Sequence, residues 1–287
     1  MANQAAPERS KERAPRPLIL PFKRALNRLD ELNDLLHLAI DGISRVQLLP
    51  RLADAVAHVT KELGEALPAD EEQQRQHVAQ LAEKAKREVE RGFPLLHAYM
   101  AVGCWSVLEV AVEDFLVAWL KYDQTELQQE QLAKIKVPLS QFLVLDEEER
   151  LRFLIAELQH RVGSTYARGL ERFESMLNAF GLGGKLDEKY GRSIFELGEI
   201  RNVIVHRGGI VDRKVAEACP WLNLKIGDPV VVTHGMYAKY LEAIDSYLAE
   251  MVRRAEKRFS KAGAQDEPKE SSEAPAREVS GARPSDG

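Results

Sequence analysis

Apolar residues recur at helical spacing along most of the chain. Leu49, Leu52, Val56, Val59 and Leu63 lie three and four apart, and Val78, Leu81, Ala85 and Val89 repeat the pattern. Positions so spaced share one face of an amphipathic helix. Between the two stripes, Leu67-Pro68-Ala69-Asp70 reads as a break, with Asp70 placed to cap the next helix. Two heptads are too few for a coiled coil. The expectation is therefore helices resting on a neighbouring core, with an interaction arm as the alternative. Gly92-Phe93-Pro94 stops one helix and opens another, Pro94 suiting a first turn. Residues 94–120 form the most apolar run of the chain. Further helices are predicted at about 124–134, 147–161 and 164–180, the last ended by Gly181-Leu182-Gly183-Gly184. Another runs from Asp187 to about His206, where Gly208-Gly209 stops it. Residues 222–232 carry the only strand signal, a short hairpin around Gly227-Asp228. Thr233 then caps a final helix reaching Phe259.

The predicted fold class is all-α: an up-and-down helical bundle with at most one short β-hairpin, an N-terminal helical extension and disordered tails. Its divisions are a tail at 1–20, a helical extension at 21–92, the bundle at 93–260 and a second tail at 261–287. Both tails hold too few large apolar side chains to offset their ordering entropy.

Composition narrows the class without choosing a function. The formal charge of −5 over 287 residues excludes a uniformly basic nucleic-acid coat and a strongly acidic solvating chain, but not a local basic site. Two cysteines, Cys104 and Cys219, exclude a disulfide scaffold and a cysteine-based zinc cluster, and point to a reducing compartment. Glu109, Glu113 and Asp114 interrupt the apolar run. Each would cost roughly 2.5–3.5 kcal/mol at a bilayer centre, so the run reads as a buried helix of a soluble protein, with no membrane partner. The N-terminal residues lack an apolar signal core, and a cytoplasmic location is expected. No histidine pair has metal-ligand spacing and no glycine cluster fits a phosphate-cradling loop, so neither a metal nor a cofactor is expected.

The informative stretch is 196–214, ELGEIRNVIVHRGGIVDRK. On a helical wheel at 100° per residue, with Ile194 at zero, Leu197, Ile200, Ile204 and Val205 fall between about 240° and 20°. Arg201, at about 340°, lies inside that apolar arc, whereas Asn202 and His206 lie one turn apart on the polar face at about 80° and 120°. A charged guanidinium among aliphatic residues needs an anion: an internal carboxylate, with Glu109 the first candidate, or a phosphate. Arg201 and His206 are about 140° and 7.5 Å apart on a regular helix and do not converge. Either the last turn distorts or a second copy completes the site. The bland alternative is a histidine sitting favourably at a helix C-terminus and an arginine bridging helices.

Arg201-Asn202-Val203-Ile204-Val205-His206 resembles the signature of the HEPN superfamily, of the RNase type found in RiboL-PSP-HEPN and MAE-like domains: an arginine, a polar residue, apolar residues, then histidine. Two other arginine–histidine pairs have compatible spacing, Arg51/His58 and Arg91/His97, but only this one has the polar follower, the apolar spacer and the Gly-Gly stop. The Ser106-Val107-Leu108-Glu109 patch looks like that family's first core helix. The resemblance covers about residues 94–259 and leaves 1–93 outside.

It implies a small helical bundle, a homodimer that pairs two motifs in one cleft, and metal-independent RNA cleavage in toxin–antitoxin or antiviral systems, with a possible antitoxin or other regulatory partner. In such a reaction the 2′-hydroxyl attacks the adjacent phosphorus. His206, from two copies, would serve as base and acid. Arg201 would stabilise the phosphorane, and Asn202 would orient His206 or a phosphate oxygen. Arg207, Arg213 and Lys214 would form a basic rim for RNA, or are simply a solvated turn. The rival readings are a catalytically silent scaffold that binds a partner protein, and an RNA- or nucleotide-binding regulator that grips phosphate through Arg201.

Overall fold

The computed structural model describes residues 15–64, 66, 70–162 and 168–265, with side chains to residue 259. Eleven α-helices occur among them: α1 (Arg16–Val46), α2 (Leu49–Glu62), α3 (Glu71–Arg91), α4 (Pro94–Tyr122), α5 (Glu130–Ala133), α6 (Leu139–Phe142), α7 (Glu147–Val162), α8 (Leu170–Asn178), α9 (Glu188–Arg207), α10 (Arg213–Ala218) and α11 (His234–Gln265). The chain is an all-α bundle, and no strand forms among the described residues.

Helix α4 is the axis of the fold. It is apolar on nearly every face, and a helix of that kind must be enclosed. Cys104, Leu108, Val112, Phe115, Leu116 and Leu120 are all buried along it. It is the one helix among the described residues that is long and apolar enough to cross a membrane. In the fold its acids instead face other helices: Glu109 pairs with Arg172 of α8, while Glu113 and Asp114 pair with Arg152 of α7.

Helix α1 runs antiparallel to α4. Phe22 meets Phe115 with ring centroids 4.7 Å apart, and Leu32 lies over Gly103 at the other end. Helix α11 runs parallel to α4, with His97 against His234 at one end and Tyr122 against Phe259 at the other. Helix α9 wedges against both, Gly198 under the Trp105 ring and Glu196 beneath Tyr240.

Several boundaries differ from the sequence expectation. Helix α1 begins at Arg16, so residues 16–20 are helical rather than tail, with Pro17 suited to the start and Leu18 fully buried. Leu18, Phe22, Ala25, Leu29 and Leu36 form a stripe in the same core cluster as α4, so the core runs through the segment set apart as an extension. Residues 261–265 continue α11, and 1–14 and 266–287 lie outside the described residues. The helix expected at 124–134 is a 3₁₀ turn (Gln124–Gln128) followed by α5. The one expected at 164–180 is described as α8, with 163–167 outside the described residues. Asp70 stands at the N-terminus of α3, but its carboxylate accepts from the Gln74 side chain rather than from the backbone.

The stripe of α2 also does not rest on a core. Ala57 is the buried residue of α2, while Leu52, Val56, Val59 and Leu63 are 53–69% exposed. The hairpin around Gly227-Asp228 is absent. Its turn forms, with Gly227 at φ 92°, but Pro220–Leu222 is a 3₁₀ turn and Asn223 is left-handed, so no strand returns beside it. Residues 227–230 pair instead with the loop after α9. Val211 N–H donates to the Asp228 carbonyl at 2.9 Å and Val230 N–H to the Gly209 carbonyl at 2.7 Å. One isolated antiparallel bridge, Ile210 with Pro229, is the result.

Candidate functional site

The C-terminal half of α9 carries the candidate residues. Ile194, Leu197 and Ile200 are fully buried and Val203 nearly so, while Val205 is exposed. The buried face is therefore centred nearer Val203 than the wheel placed it, and Arg201 sits at its edge. The reason is that α9 packs on both α4 and α11, which also buries Glu196 and Glu199.

Arg201 bridges the two environments. Its Nε is buried without a hydrogen-bond partner among the described residues, and its side chain is 24% exposed. Nη1 donates to Asn202 Oδ1 at 3.2 Å, and Nη2 stands 3.9 Å from Glu109 Oε2. The expected Arg201–Glu109 pair is thus present but long. Glu109 is held more closely by Arg172, whose Nη1 donates to Oε1 at 2.9 Å. Gln159 backs Arg172: turned as the donors require, its amide oxygen accepts from Arg172 Nε at 2.7 Å and from Nη2. Two guanidinium groups therefore share one carboxylate, leaving excess positive charge beside Arg201. Arg172 and Gln159 were invisible in the sequence because they lie 63 and 50 residues after Glu109, on α8 and α7, and carry no local pattern that marks them.

His206 is exposed and has no hydrogen-bond or ionic partner among the described residues. Helix α9 remains α-helical to Arg207 and ends when the N–H groups of left-handed Gly208 and Gly209 both bond to the Val203 carbonyl. No distortion swings His206 toward Arg201, so within one chain the two side chains stay separated as on the regular helix. Asn202 accompanies Arg201, through its carboxamide, rather than His206.

The basic residues that follow divide. Arg207 Nε lies 3.6 Å from Asp212 Oδ2, and Asp212 also caps α10 by accepting from Val215 N–H. Arg213 and Lys214, on the first turn of α10, are exposed and unpaired among the described residues. Two clefts of about 390 and 470 Å³ open between α1 and α4 and share Pro21, Arg24 and Asp114. Neither is lined by Arg201, Asn202 or His206. No group of three or more His, Cys, Asp or Glu side chains able to hold a metal ion occurs among the described residues. Burial pushes the thiols of Cys104 and Cys219 up to about 12, which makes both poor nucleophiles.

A second polar cluster locks α9 in place. Glu196, almost wholly buried, accepts from Tyr240 OH at 2.7 Å, Trp221 Nε1 at 2.7 Å and Lys239 Nζ at 2.5 Å. It ties α9 to α11 and to the turn after α10, and fixes the height at which Arg201 and His206 are presented. Comparison with protein-family profiles, curated proteins and solved structures returns no match.

Proposed function

We propose that the chain is a metal-independent endoribonuclease of HEPN type, active as a homodimer in which two α9 ends share one cleft. The observation that carries this reading is the under-neutralised Arg201, with its buried unpaired Nε, on the same helix end as a free, exposed His206. Phosphate is the anion that a half-paired guanidinium binds best, because the planar fork can donate to two of its oxygens. An imidazole can take up or give a proton in such a reaction, and two copies of His206 can divide the base and acid roles. Since α9 stays regular to Arg207, the helix of a second copy supplies the histidine that faces a given Arg201. Asn202 holds Arg201 Nη1 and so orients the cation rather than the histidine. Arg213 and Lys214 give the RNA backbone a short basic approach, with Arg207 partly committed to Asp212. A cytoplasmic defence or toxin role, with a neutralising partner protein, fits this chemistry.

A silent scaffold is the second reading, favoured by the Arg201–Glu109–Arg172 bridge, which would serve helix packing alone. Incubating wild type, Arg201→Ala and His206→Ala with single-stranded and structured RNA in EDTA separates the two. Cleavage leaving 2′,3′-cyclic phosphate ends, lost in both variants, is the expected result. No cleavage by wild type, or equal cleavage by all three proteins, refutes the enzyme.

A further inference from the structure

We infer that the outward stripe of α2 is a self-association surface that docks onto the same stripe of a second copy of this chain. Leu49, Leu52, Val56, Val59 and Leu63 keep a strict three–four spacing. That is the narrow seam by which one helix pairs with another, and it is narrower than the wide apolar face that rests on a domain core. The α2–α3 hairpin does not use it. Helix α2 turns its small residues inward instead, with Ala57 buried and Ala53 and Thr60 half-buried beside it. At 100° per residue this inward face lies about 100° around the helix from the stripe. The large side chains are thus the ones left in solvent, at 60%, 57%, 53% and 69% exposure for Leu52, Val56, Val59 and Leu63, with Leu48 alongside at 55%.

Three observations choose the occupant. Residues 1–14 and 266–287 hold only two large apolar side chains, Met1 and Val279, too few to cover the seam. The seam is flanked by Leu48, Ala55, Ala53 and Thr60, so that two copies meet with no like charges opposed until Glu62. The patch also has the right size. Its exposed apolar surface is on the order of 500 Å² per copy, as large as the largest patch a typical monomer shows. Two copies together cover about 1,000 Å², the scale at which a specific interface begins. The opposite face holds two bases, Arg51 and Lys61, with Asp54 and His58 among them. That balance lacks the basic excess of a membrane-surface helix.

Val56 is the middle residue of the stripe, seven positions from each end. A two-fold pairing of whole stripes therefore brings it near its own copy whether the helices run parallel or antiparallel. The test uses the full chain carrying Val56→Cys, with Lys61→Cys, on the far side of α2, as control. The native Cys104 and Cys219 are buried and stay silent. Mild oxidation with diamide should convert most of the Val56→Cys protein to a covalent dimer and leave the Lys61→Cys protein at background. In sedimentation at tens of micromolar, Leu52→Glu/Val59→Glu should halve the mass of the self-associated species with unchanged helical circular dichroism. Equal cross-linking of the two cysteine variants, or an unchanged mass in the double variant, overturns the proposal. So does wild type that stays monomeric yet binds anionic vesicles. RNA cleavage reads the pairing of α9 ends and this cross-link reads α2, so either can fail without the other.

Discussion

Replacing Glu196 tests whether the buried cluster, rather than apolar contact alone, holds α9 at its height. Glu196→Ala leaves three donors without their acceptor. Tyr240 OH is fully enclosed and cannot turn to water, while Trp221 and Lys239 are half-buried and recover part of their hydration. An enclosed donor left unpaired costs about 1–3 kcal/mol, and removing one member of a buried charged pair costs about 3–5 kcal/mol. The two overlap, so the expected loss is about 3–5 kcal/mol. For a chain of this size each kcal/mol moves Tm by about 2–4 °C, giving a fall of roughly 6–20 °C. Glu196→Gln keeps the shape and two acceptor lone pairs, yet turns an NH₂ toward one of the donors, so it should lose about half as much. Urea and thermal unfolding followed by far-ultraviolet circular dichroism give both numbers. If Glu196→Ala unfolds within 1 kcal/mol of wild type, the three hydrogen bonds are not what holds the helix, and the reasoning fails.

Two further expectations follow from the geometry. His97 is buried with Nδ1 2.9 Å from the Phe93 carbonyl, so this nitrogen donates and Nε2 accepts from His234 Nδ1 at 3.3 Å. Desolvation, followed by the nearby His234 charge among the causes that lower it, holds the His97 pKa below 6.5. The unfolded chain then binds more protons below that pH, so this contribution to stability is complete above pH 6.5 and is lost as the pH falls toward the folded value. Wild type should lose more Tm between pH 7 and 5 than His97→Gln, and identical slopes would count against the pairing. Gly169 has φ 55°, and a Cβ there would stand 2.8 Å from Phe195 Cα. Gly169→Ala should therefore destabilise by about 2–5 kcal/mol, whereas Gly42→Ala in open helix should gain about 0.5–1 kcal/mol. Urea midpoints check both, and equal effects at the two sites would refute the close approach.

The sequence made the helices legible and left their faces uncertain. The apolar run of α4, the Gly-Gly stop of α9 and the cap before α11 follow from local chemistry, and local chemistry decided them. The outward stripe of α2 has the same period whether it faces a core, a partner or water, so periodicity could not place it. The pairing of 209–211 with 227–230 was hidden for a different reason: Val, Ile and Gly-Asp mark extended chain and a turn, but not which extended chain is the neighbour. In the site, Arg201 and its long contact to Glu109 were within reach, because an arginine on an apolar arc demands an anion. Arg172 was not, because its closer claim on Glu109 depends on how α8 docks.

The antiparallel seating of α1 on α4 also sets an order of events during synthesis. Phe22 leaves the ribosome 93 residues before Phe115, its ring partner. At roughly 5–20 residues per second, the apolar edge of the first helix waits about 5–20 seconds for its counterpart. Closing a loop that long is entropically dearer than forming the local α2–α3 turn, so the hairpin can assemble first and be carried in as one body. The nascent chain therefore passes through a stage in which Leu18, Phe22 and Leu29 stand open to whatever chaperone or neighbouring chain is near, a vulnerability that the finished bundle no longer displays.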